Sequence, residues 1–120
     1  MIKYLLLLSL TAACHQGQAA ADTKSNPRKH IGIVQSHKDQ IGEICFELQK
    51  DQLIRFSIEA NQVISFNVHY HLNSKTLYPV EEQEITELKQ TVIAQHDETY
   101  CLMWTATKDS TLVKYNYSIQ

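Results

Sequence analysis

From residue 41 onward the chain alternates apolar and polar residues with a period of two. "IGEICFEL" (41–48) sets Ile44, Phe46 and Leu48 on one face against Glu43, Cys45 and Glu47 on the other. "LIRFSIEA" (53–60) repeats this with Ile54, Phe56 and Ile58 against Arg55, Ser57 and Glu59. "VISFNVHYHL" (63–72) places Ile64, Phe66, Val68, Tyr70 and Leu72 opposite Ser65, Asn67, His69 and His71. Successive side chains of a strand leave opposite faces of a sheet, so the pattern predicts antiparallel strands with one face buried and one wet. "NSK" then turns the chain into "TLYPV" (76–80), a short strand whose Pro79 suits an edge.

The next segment, "EEQEITELKQTVIAQ" (81–95), is ambiguous. Ile85, Leu88 and Val92 fit a helical stripe, yet Leu88 and Val92 also share a strand face. We read it as a loop followed by a strand over Leu88–Ala94. The last two strands are plain: Thr99–Ala106 points Tyr100, Leu102 and Trp104 inward, and "TLVKYNYSI" (111–119) does so with Val113, Tyr115, Tyr117 and Ile119. About seven short strands joined by turns predict an all-β fold, an antiparallel β-sandwich of jelly-roll-like type.

The residues before 41 differ. Residues 22–40 are polar, lack sustained periodicity and contain Pro27 and Gly32, which predicts a tether with a short edge strand over Ile31–Val34. Residues 1–21 look like a secretory leader. Lys3 precedes the apolar block "YLLLLSLTAA", which is short of the ~20 residues a spanning helix needs. "AAA" before Asp22 is one cleavage site. "LTAAC" is another, resembling a bacterial lipobox with Cys14 as the lipidated residue. Both routes export the domain over 41–120 to the periplasm or a membrane facing it. Once Cys14 is removed or lipidated, Cys45 and Cys101 remain, and two thiols in an oxidising compartment most simply form one disulfide.

Composition narrows the function classes. The chain has 120 residues, 43% of them hydrophobic, with a net charge of −2. A balance so near neutral carries no electrostatic footprint for nucleic acid or an anionic membrane. Membrane contact is therefore expected only through a lipid anchor on Cys14. With three glycines in the chain there is no glycine-rich phosphate loop.

"CFEL", "FNVHYH", "TLY", "YCLMWT" and "VKYNYSI", taken together, resemble the GOLD (Golgi-dynamics) domain, the β-sandwich module of early-secretory cargo receptors, and small exported bacterial proteins of undetermined activity. The resemblance spans roughly residues 41–120. It implies a sandwich, a bridge between Cys45 and Cys101, and a role in binding another macromolecule.

Two constellations carry chemistry. Cys101 stands on the outward face of its strand with Met103 and Thr105, near Asp97 and Glu98. Those acids disfavour a thiolate nucleophile and leave the bridge as its reading. His69 and His71 lie two apart, so both imidazoles leave one face and are candidate ligands for Cu or Zn. A third ligand would be Met103, whose softness favours copper, or Glu81, Glu82, Glu84, His96 or His37. The alternative is a pair of exposed polar residues on the wet face. The expected function is a non-catalytic binding module of the bacterial cell envelope with an envelope protein as partner. A periplasmic Cu- or Zn-binding protein is the second expectation.

Overall fold

The computed structural model describes residues 28–120; the expected leader over 1–21 and Cys14 lie outside the described residues. Six strands follow in order: β1 (Arg28–Ser36), β2 (Ile41–Leu48), β3 (Leu53–Leu72), β4 (Lys75–Ile93), β5 (Glu98–Ala106) and β6 (Thr111–Ile119). Every pairing is antiparallel, along the path β1-β6-β3-β5-β2, with β4 on the other side of β3.

The architecture follows from the length of β3. Its first half, Ile54–Ala60, pairs with β6, and its second half, Ile64–Tyr70, pairs with β5. β4 follows β3 through both halves, with a register shift between Glu59 and Ile64. The sheet bends at that irregularity and folds its two halves together. Phe46 of β2 then meets Tyr117 of β6 at 5.0 Å between ring centroids, and Trp104 of β5 meets Tyr115 of β6 at 6.0 Å. The result is two layers, a β6 layer and a β5 layer, sharing a hairpin. Ile54, Ile58, Phe66, Tyr100 and Trp104 are all buried between them.

Six strands replace the expected seven, because two pairs of expected strands merge and β1 adds one. "NQ" (61–62) reads as a turn but is a bulge, and Ala60 and Ile64 both stay inward, so the alternation keeps its phase across it. The polar pair serves the bulge itself: Asn61 Oδ1 accepts the Leu112 N–H at 2.9 Å, and Gln62 Nε2 donates to the Asp109 carbonyl at 3.0 Å. Glu81–Glu87 is strand rather than loop. Among the described residues β4 pairs only with β3, so little besides Val80 and Val92 needs burying and the alternation is diluted by glutamates. The tether expected over 22–40 is likewise shortened from its far end. Residues 28–36 form a full nine-residue strand on β6, and its exposed Ile31 and Ile33 conceal the inward face.

Two glycines are set by close approach. Gly42 lies opposite Trp104 and Gly32 opposite Tyr115, and each ring crosses the backbone where a Cβ would sit.

The β3–β4 hairpin turns on Asn73 and Ser74, both left-handed at φ 50° and 64°. That is the two-residue turn whose twist matches the strands, and it favours glycine at the second position. Ser74→Gly is therefore expected to raise stability by about 0.5 kcal/mol, read as a shift in the urea midpoint.

Candidate functional site

The outward face of the β5 layer gathers the chemistry. Pairing sets it out in rows: Glu43 opposite Met103 opposite Asn67, then Cys45 opposite Cys101 opposite His69. Cys45 and Cys101 are bridged, with Cα atoms 4.1 Å apart. Directly opposed residues of an antiparallel pair are close enough for that bond. Cys45 is exposed and Cys101 buried.

His69 departs from the expected wet face. It is only 6% exposed, and neighbouring Asn67 is 2% exposed. The Tyr78 ring comes across from β4 to 6.0 Å, and the His71 ring stands edge-on at 5.3 Å. His69 Nδ1 lies 2.8 Å from Asn67 Oδ1, an acceptor, so Nδ1 carries the proton and Nε2 keeps its lone pair. Ligating atoms of Glu43, His69 and Cys101 fall within 4.8 Å of one another. The Cys101 sulfur is already bonded to Cys45, so it serves neither as thiolate ligand nor as nucleophile.

The structure brings His69 together with His71 and with Glu43. Met103 sits in the Asn67 row, on the side of His69 away from His71. The exposed His71 places Nδ1 3.1 Å from Thr76 Oγ1. Glu82 accepts a hydrogen bond from Ser65 at 2.8 Å, and Glu84 stands opposite Ser65 in the register, while Glu81 is exposed. His37 lies in the β1–β2 turn, and His96 lies in the β4–β5 turn, its Nδ1 3.0 Å from the Tyr70 hydroxyl. Spacing identifies the histidine pair. The lid formed by Tyr78 depends on the β3–β4 register and has no local signature.

Burial pushes the His69 pKa below its ordinary 6.5; Glu43 opposes that shift and His71 adds to it. The folded state thus holds a neutral ring that the unfolded chain protonates near pH 6.5. Stability is unaffected above that value, falls as pH drops through it, and stops falling below the lowered native value. Urea midpoints measured from neutral pH to about pH 5 should decline less steeply for His69→Asn than for the wild type.

The outward positions of these strands carry Glu43, Glu47, Glu82 and Glu84 and, among the described residues, no lysine or arginine. The face is therefore acidic, with histidines at its centre. Beside it a groove of about 570 Å³ opens between the layers, lined by Tyr70, Leu77, Tyr78, Val92, His96 and Tyr100. Leu77 and Val92 come from opposite ends of β4 and meet there because the strand follows the bend. The Tyr100 hydroxyl accepts N–H groups of Gln95 and His96 at 3.2 and 3.3 Å and donates to the His96 carbonyl at 3.1 Å, which fixes the rim.

No protein-family model matches the chain, and no curated protein sequence matches it. Among solved structures, it is similar to the crystal structure of PliG from Salmonella Typhimurium, a periplasmic lysozyme inhibitor of g-type lysozyme. The TM-score is 0.50 at 15% identity, covering 82% of this chain and 92% of that one. At that identity the likeness is one of fold.

Proposed function

We propose that this protein is an exported, non-catalytic inhibitor that binds a lysozyme-like hydrolase of the cell envelope. The observation that carries the reading is the fold it shares with PliG over 82% of its length. The acidic face adds a physical reason. Enzymes that work on the anionic cell wall profit from cationic clefts, and Glu43, Glu47, Glu82 and Glu84 complement such a surface. A stapled β-layer presents these groups with little entropy to lose on docking. The GOLD resemblance belongs to the same reading, as a sandwich whose faces bind another macromolecule.

The test is turbidity clearing of bacterial cell walls by g-type, c-type and i-type lysozymes, with complex formation followed by calorimetry. Inhibition that saturates at one-to-one stoichiometry is expected with at least one of them. Glu43→Arg with Glu84→Arg should weaken it about ten-fold or more, chiefly through association. No inhibition and no complex with any of the three overturns the reading.

Anchoring at Cys14 is part of the proposal. Mass spectrometry of the exported protein should find an acylated Cys14 as the mature N-terminus; Asp22 in that position removes the anchor. A second reading is favoured by the His69–His71 pair, whose rings stand 5.3 Å apart. It makes the face a Cu(II) or Zn(II) site held by His69 and His71, with Met103 or Glu43 as a further ligand of the ion. Asn67 would then orient the imidazole as outer-shell carbonyls do at metal sites. Calorimetry with each ion should give heat that His69→Ala/His71→Ala abolishes; equal heat in both proteins disposes of it.

A further inference from the structure

The outward face of the β6 layer has the opposite character. Lys29, Arg55 and Lys89 line an open groove of about 920 Å³ with Ser57, Asn116 and Ser118, and no carboxylate is among its lining residues. Its floor is internally satisfied, Asn116 Nδ2 donating to Ser57 Oγ at 2.8 Å. The acids of this face, Glu59 and Glu87, oppose each other further along the strands, where Glu59 also faces Lys114. Beside the cations stand bare aliphatic side chains: Ile31 is 71% exposed, Ile33 63% and Ile93 61%. β1 supplies Lys29, Ile31 and Ile33 to this face.

We propose that this face rests on an anionic phospholipid surface and turns the acidic face away from it. Three cations flanked by aliphatic side chains on a broad, open sheet match the headgroup region, where phosphates meet the first methylenes. A soluble anion would be held better by an enclosed cage than by this wide, open groove. Each Lys or Arg near an anionic bilayer is worth about five-fold in partitioning, so the three together give about a hundred-fold. The proposal goes beyond the inhibitor reading and does not depend on it, because its test contains no protein partner.

The exported protein is partitioned onto phosphatidylglycerol-rich vesicles and onto pure phosphatidylcholine vesicles. An acyl anchor acts alike on both, so the ratio of the two partition coefficients reports the face. About a hundred-fold preference for phosphatidylglycerol is expected at low salt, lost at high salt and lost in Lys29→Gln/Arg55→Gln/Lys89→Gln. These side chains are exposed, and an unchanged melting curve confirms that the variant is folded. Glu43→Gln/Glu47→Gln/Glu84→Gln, on the other face, should leave the ratio within a few-fold of wild type. No lipid preference in the wild type overturns the proposal. So does the same preference in the cation variant, or a rise in the glutamate variant as large as the cation variant's fall, which would mark a net-charge effect. Retention by a soluble anionic polysaccharide without vesicle preference also overturns it.

Discussion

Replacing Cys45 and Cys101 together by alanine is expected to lower the free energy of unfolding by about 4 kcal/mol. The bridge joins residues 56 apart in sequence, and closing a loop of that length removes most of its cost from the unfolded chain. The loss also has a local address. Among the described residues β2 pairs only with β5, so the bridge is the covalent tie of an edge strand to the layer that carries the acidic face. For a domain whose whole stability is on the order of 5–10 kcal/mol, a change of that size decides whether it stays folded at body temperature. Urea denaturation of the double variant and of the reduced wild type should give matching midpoints, both far below the oxidised protein. A difference under about 1 kcal/mol would mean that the unfolded chain is already held compact and gains nothing from the loop.

Gly42→Val carries the second large effect. Trp104 is 1% exposed and crosses the β2 backbone at Gly42, so any Cβ there overlaps the indole. The ring cannot retreat inward, because Tyr115 and the rest of the core occupy that space. We expect a loss of about 3 kcal/mol or more, with the ring driven from its site. Among the described residues the indole N–H has no hydrogen-bond partner, so displacement toward water relieves one polar cost while exposing the ring. Trp104 is the sole tryptophan of the chain, which makes its fluorescence a direct readout. The emission maximum should move to the red in folded Gly42→Val. Gly32→Val is the parallel case at Tyr115, where a Cβ overlaps the phenol ring. An unshifted spectrum with unchanged stability would mean that β2 yields instead of the ring.

Period-two alternation made most of the fold legible. Ile54, Phe56 and Ile58, then Phe66, Val68 and Tyr70, then Tyr100, Leu102 and Trp104 are all buried as their spacing predicts. The bridge was legible too, since counting thiols in a chain read as exported left only one pairing. The register was not. Whether "NQ" turns or bulges depends on Leu112 and Asp109, some fifty residues away. Whether Glu81–Glu87 is strand depends on β3 being long enough to pair with it. For the candidate site, the histidine spacing placed both rings on one face, but the burial of His69 beneath Tyr78 came from a neighbouring strand.

Charge shows the same division most clearly. Summed along the chain it is −2, and from that sum no surface of either sign follows. The alternation assigns each residue to the inward or outward side of its own strand. It says nothing about which strands become neighbours. Bending β3 at residues 60–64 puts Arg55 with Lys29 and Lys89 in one layer, and Glu43 with Glu84 and His69 in the other. Local pattern is carried by the period of the backbone and can be read from one segment. The polarity of a face is a property of strand order, which the nonlocal pairings of β3 with β5 and β6, of β1 with β6 and of β2 with β5 set together.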